Sequence, residues 1–209
     1  MYRLYGNPGW GSVLVEAQLA WYGLDYENVE AGDVFASEEA RNDLARLNPL
    51  AQVPVLILPD GAVMTESAAI TLYLADITGR HDLVPSAQDR ERADFLRWLV
   101  FIVSNIYPTF TFADVPARFV PHEQARESYR ATVDAYAQKL WRIVEDHARA
   151  PWFLGDRFSA LNIYVCAMTR WRPQRLWFAA NAPKLTAIAL ATDELPRLAP
   201  IWRRNFPDQ

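Results

Sequence analysis

Pro54 stands in Gln52-Val-Pro-Val-Leu-Ile-Leu58, a stretch of apolar and β-branched residues that otherwise reads as a buried strand. A proline has no N–H to give to a sheet ladder, so it must open the strand or sit in a bend beside it. Were the Val53–Pro54 bond cis, the N–H and carbonyl of Val53 would turn outward and offer a small ligand a strand edge to pair with. Further on, Met64-Thr-Glu-Ser-Ala-Ala-Ile70 sets an acid and a hydroxyl at the start of a helical pattern, where unpaired backbone N–H groups favour an anion. The two segments together point to a site built for a peptide-like anion.

The rest of the first half alternates strand and helix signals. Tyr2-Arg-Leu-Tyr5 reads as a strand and Gly6-Asn-Pro-Gly-Trp-Gly-Ser12 as a loop, after which Val13, Leu14, Ala17, Trp21 and Leu24 recur at helical spacing. Tyr26 to Val29 predicts a second strand and Ser37 to Leu47 a helix. Val55 to Leu58 with Ala62 to Met64 predicts a hairpin turning at Pro59-Asp-Gly61, and Thr65 to Thr78 a helix stopped by Gly79. That order is what a thioredoxin-like α/β domain over residues 1–80 requires, with Arg80 to Ser86 as the linker. Beyond Gln88 the strand signals fade. Phe95, Leu99, Ile102, Val103 and Ile106 mark a long helix ending at Pro108, and His122 to Ala148 a second one. Residues 87–209 therefore read as an all-α helical bundle domain.

Composition narrows the function. The chain is 51% apolar and 13% aromatic, ample for packed cores. A net charge of -4 gives no basic excess for a nucleic-acid partner. The N-terminus enters a strand without the pattern of a signal peptide, and no apolar run approaches membrane-spanning length. One cysteine, Cys166, excludes an intrachain disulfide framework and, set in a helical pattern, reads as a small buried hydrophobe. His81, His122 and His147 lack ligand spacing, so no metal is assigned. The expected compartment is the cytoplasm, with no membrane and no nucleic-acid partner.

Asn48-Pro49, Gln52-Val-Pro-Val-Leu56 and Glu66-Ser67 resemble the glutathione-binding signature of the cytosolic glutathione transferases, and the similarity extends over nearly the whole chain. The resemblance implies a cis Pro54, a Val53 backbone paired with the cysteinyl backbone of glutathione, and Glu66 with Ser67 on its γ-glutamyl end. Gln52, with Arg41, is the local candidate for the glycyl carboxylate. It also implies a homodimer, and an enzyme that activates glutathione as thiolate for attack on a small hydrophobic electrophile. The free thiol titrates near ~8.5, and lowering that by about two units asks for roughly 2.7 kcal/mol of preferential interaction with the thiolate.

Three residues compete for that role. Ser12 has a hydroxyl at the start of the first helix, where it could also be an ordinary N-cap. Tyr5 ends the first strand at a spacing similar to that of tyrosine-type transferases, or covers the core as a strand aromatic. Asn7 could donate an amide N–H, but Asn before Pro is first of all a turn residue. The loop matches that of the bacterial cysteine-type transferases, except that Gly11 stands where they carry cysteine, which argues against a mixed disulfide with glutathione. Trp10, flanked by glycines in a turn with little core to join, is expected to wall glutathione or its co-substrate. Trp10, Phe101, Asn105 and Tyr107 are the candidates for the electrophile pocket. Phe153 to Asn162 resembles the family's helix-capping box, with Asn162 where Asp is common and its amide oxygen expected to accept the Ser159 N–H. A binding or scaffold protein that keeps the fold without thiol activation is the rival reading.

Overall fold

A computed structural model describes residues 1–207. The chain divides into two compact units, Met1–Val84 joined by the segment from Ala191 onward, and Pro85–Leu190.

The first unit is a four-stranded sheet with helices on both faces. Its elements are β1 (Tyr2–Gly6), α1 (Val13–Tyr22), β2 (Tyr26–Glu30), α2 (Glu38–Ala45), β3 (Val55–Ile57), β4 (Val63–Met64) and α3 (Ser67–Thr78). The strand order is β2-β1-β3-β4, with β1 parallel to β2 and β3 antiparallel to both β1 and β4. Strand alternation sorts the faces. Leu4 and Leu56 are opposed in register and fully buried, whereas Tyr5 lies opposite Val55, on the face where Val34, Leu44, Val55 and Ile57 form a core cluster. Every residue from Val13 to Leu19 is buried, so α1 is a central helix and needs no polar face. It packs against α3, where Gln18 Nε2 donates to Thr71 Oγ1 at 2.9 Å. Proline opens the strand as the sequence requires: the ladder begins at Val55, directly after Pro54.

The second unit is helical: α4 (Arg92–Phe101), a π-helical turn (Ile102–Ile106), α5 (Tyr107–Asp114), α6 (Arg126–His147), α7 (Ala160–Met168), α8 (Arg175–Asn181) and most of α9 (Pro183–Asp193). This is the expected pairing of a thioredoxin-like domain with a helical one. The last helix, α10 (Ala199–Asn205), packs on α1, so the chain's end belongs with the first unit and not with the helical domain to which the sequence assigned it. Residues 80–84 also join the first unit, since Leu83 and Val84 are buried and Trp21 Nε1 donates to Asp82 Oδ2 at 2.6 Å.

Two helix expectations are corrected. The helix expected to end at Pro108 runs on to Asp114. Pro108 lies in the first turn of α5, and the wider π turn before it relieves the clash and the missing hydrogen bond that a proline causes inside an α-helix. The resulting 23-residue helix, Arg92–Asp114, is the one helix among the described residues long and apolar enough to cross a membrane, a length hidden by stopping at Pro108. Its Phe95, Trp98, Leu99, Ile102 and Ile106 are buried, and a core helix meets the same measure. The capping box is also different. Asn162 Oδ1 accepts from the Phe153 N–H at 2.9 Å, and its Nδ2 donates to the Ser159 carbonyl at 3.1 Å. An amide can both accept and donate, so Asn162 ties the preceding loop to α7 and does not cap Ser159. Cys166 is wholly buried in α7, with Arg170 Nη1 3.3 Å from its sulfur.

Candidate functional site

The loop between β1 and α1 is built by a tight turn. Pro8 and Gly9 occupy its centre, Gly9 has φ 75, and the Trp10 N–H donates to the Asn7 carbonyl at 3.1 Å, the features of a type II turn. Asn7 is fastened in place, its Nδ2 donating to the Gly32 carbonyl at 2.7 Å. Ser12 holds the N-cap position without capping. Its backbone is already helical, the residue is only 6% exposed, and its hydroxyl turns back to the Asn7 carbonyl at 3.4 Å. Gly6 makes room for it, because a Cβ on Gly6 would overlap the Ser12 side chain. The first turn of α1 closes on the carbonyls of Trp10 and Gly11, and the N–H groups of Gly11 and Ser12 make no hydrogen bond among the described residues. Two donors are thus left at the positive end of a helix.

Trp10 is placed differently from its expectation. The ring packs on the cluster of Val34, Leu44, Val55 and Ile57 and meets Phe35 at 5.2 Å. The glycines allow the turn, but the tryptophan reaches back to a core. Tyr5 packs on the same cluster, half-buried.

The second element of the site surrounds Pro54. The Val53–Pro54 bond is cis, and Val53 lies outside the ladder with no backbone hydrogen bond among the described residues. Asn48, which sequence reasoning used only as part of a motif, holds this segment. Its buried Nδ2 donates to the Gln52 carbonyl at 2.8 Å, and its Oδ1 accepts from the Leu50 N–H at 3.1 Å. Ala51 between them has φ 50. Arg41 is committed elsewhere, donating to the carbonyls of Val34 and Phe35 at 3.0 and 3.4 Å.

Glu66 sits directly before α3 with φ 64 and ψ 102, and its exposed side chain takes no part in capping. A glutamate has no steric reason to adopt that backbone. Ser67 begins the helix, its carbonyl accepting from Thr71 Oγ1 at 2.8 Å.

Behind the loop lies a buried polar knot that the site expectations did not include. Glu16 is 2% exposed on α1 and accepts from Tyr26 Oη at 3.2 Å, from Asn205 Nδ2 at 2.9 Å and from Arg204. Burial, then the charge of Glu16, pushes the Tyr26 phenol up to about 12. The one sequence signal was a charged residue, Glu16, inside the mostly apolar run of α1. In the second unit, Asn105 lies in the π turn and donates to the Phe101 carbonyl at 3.1 Å. Phe101 meets Trp98 while Tyr107 meets Phe110 and Trp171, so these two pocket candidates fall in separate aromatic clusters.

The fold pairs a thioredoxin-like sheet unit with a helical one. The model of the glutathione S-transferase N-terminal domain matches residues 1–76. The uncharacterized GST-like protein YncG of Escherichia coli strain K12 is 39% identical over 206 residues, 98% of each chain. Glutathione S-transferase GstA of Escherichia coli O157:H7 is 29% identical over 170 residues, 81% of each. The crystal structure of a glutathione transferase homolog from Sulfitobacter, with bound glutathione, superimposes with a TM-score of 0.85 at 26% identity, covering 96% of both chains. The chain belongs to the cytosolic glutathione S-transferase family.

Proposed function

We propose that the protein binds glutathione on its first unit and activates the thiol as thiolate for attack on a small hydrophobic electrophile. The observation that carries the reading is Glu66. A non-glycine residue held at φ 64 beside a helix N-terminus, with its carboxylate uncommitted, marks a place where the backbone serves a ligand. In this reading Glu66 pairs with the γ-glutamyl ammonium, and Ser67 and the first N–H groups of α3 take its carboxylate. The unpaired Val53 backbone takes the cysteinyl unit, and Gln52 reaches the glycyl carboxylate. The sulfur then lies at the start of α1, where the N–H groups of Gly11 and Ser12 stabilise the anion together with the Ser12 hydroxyl if it swings from Asn7, or with Tyr5. Glutathione bound in the Sulfitobacter homolog supports this assignment. A cytoplasmic homodimer is the proposed form.

One observation favours the rival, a glutathione-binding protein without turnover: the Ser12 hydroxyl is buried and engaged with Asn7. An ultraviolet titration of bound glutathione separates the two. The transferase reading expects a thiol midpoint well below 8.5, and tight binding with a midpoint near the free value would establish the rival. Ser67→Ala is expected to weaken glutathione binding about tenfold, the loss of one hydrogen bond to a charged group. Unchanged affinity would remove Ser67 from the site.

A further inference from the structure

The geometry points to Asn205 as a positioning residue for thiol activation, reaching the site from the far end of the chain. The inference rests on the proposed transferase reading. Asn205 is 5% exposed at the end of α10 and makes a bond in each direction. Its Oδ1 accepts the Gly9 N–H at 3.1 Å, and its Nδ2 donates to Glu16 Oε2 at 2.9 Å and to the Ile201 carbonyl at 3.0 Å.

Gly9 and Glu16 bracket the two unpaired donors of Gly11 and Ser12. One amide therefore fixes the loop before those N–H groups and the helix after them, which sets where both donors aim. The approach is close as well as bonded. A Cβ on Gly9 would come within 3.1 Å of the Asn205 carbonyl oxygen and 3.5 Å of the Phe206 ring, so the turn rests directly on the last turn of α10. Only an amide suits position 205. A carboxylate would face Glu16, and an amine or apolar group would take from the half-buried Gly9 N–H the acceptor that holds the turn against α10.

Asn205 touches neither Val53 nor Glu66 and Ser67 in the hydrogen-bond pattern, so its loss should separate thiol activation from binding. In Asn205→Ala, glutathione affinity at a pH where the thiol is protonated stays within about twofold, whereas the midpoint of the bound thiol rises by about one pH unit, cutting the thiolate fraction at neutral pH up to tenfold. The pair Asn205→Asp with Glu16→Gln transposes amide and carboxylate and keeps total charge, and is expected to bring the midpoint part of the way back, since the Ile201 carbonyl still lacks its side-chain donor. Asn205→Asp alone is not. The wild type supplies a readout independent of any variant's folding: the Gly9 amide should be protected from hydrogen exchange. An unprotected Gly9 amide, or a midpoint indifferent to Asn205→Ala while wild-type glutathione is activated, overturns the positioning role and leaves the transferase reading standing. A wild-type midpoint near the free value overturns both.

Discussion

Glu16 illustrates how much a single residue can decide in a chain like this. A carboxylate buried in an apolar helix is costly unless every oxygen is met, and here Arg204, Asn205 and Tyr26 meet it. The same burial, reinforced by the Glu16 charge and only partly offset by the Arg204 guanidinium, holds the Tyr26 phenol up near 12 against 10.0 for an ordinary tyrosine. The sign follows by linkage. Below about pH 10 both folded and unfolded chains keep the proton and stability is whole. As pH rises from there toward 12, the unfolded chain ionises first and stability falls. Tyr22, whose phenol burial also raises, adds a loss of the same sign. Tyr26→Phe should therefore be less stable than wild type at pH 8, by about 1 kcal/mol for the lost hydrogen bond, yet lose less on going to pH 11. Urea denaturation at the two values measures it, and equal losses in both proteins would show that Tyr26 does not carry the alkaline transition.

At the scale of elements, local signals read well where one physical rule acts alone and poorly where two compete. Pro54 opening β3 and the hairpin at Asp60-Gly61 each follow from one backbone constraint, and each is where the sequence put it. Pro108 obeys the same rule but meets a second one. A π turn lets the helix pass the proline, and no sequence period announces a turn that exists to accommodate its neighbour. Trp10 is a related case: flanking glycines describe the backbone and not where a long side chain lands, and its ring reaches a core that the sequence did not show beside it. Asn162 failed because its role depends on Phe153 in the loop before it. That difference has a testable edge. The family commonly carries Asp at this position, but Asn162 donates to the Ser159 carbonyl from a wholly buried site. Asn162→Asp would keep the acceptor for the Phe153 N–H and set a carboxylate against that carbonyl. The variant is expected to be destabilised by about 2 kcal/mol at neutral pH, the cost of a buried unmet group, and to recover part of this on acidification as the carboxyl regains a donor proton. Thermal unfolding at pH 7 and pH 5 reads both effects, and a variant more stable than wild type would restore the capping box.

At the scale of the whole molecule, the ends of the chain fold together. The motifs of the proposed glutathione site were legible because they are contiguous: Val53-Pro54 and Glu66-Ser67 each lie within a few residues. The knot of Glu16, Arg204 and Asn205 was not, because hydrogen bonds spanning nearly the full chain leave no local pattern, and a helical C-terminal segment looks like any other helix. The segment is nonetheless a structural part of the first unit. Leu198, Ile201, Trp202 and Phe206 are buried, Arg197 Nη1 donates to the Trp21 carbonyl at 2.9 Å, and Asn205 and Arg204 reach the first loop and α1. Four buried apolar side chains at about 2 kcal/mol each come to about 8 kcal/mol, comparable with the ~5–15 kcal/mol that holds a domain together. A chain ending at Asp193 should accordingly lose order in Met1–Val84 first, although nothing in those residues has changed. Limited proteolysis with mapped fragments provides the measurement: cleavage is expected to concentrate in residues 1–84 of the shortened chain while the intact protein resists there. If residues 1–84 resist equally in both, the sheet and its own helices suffice, and the C-terminal helix serves only to place the Gly9 turn.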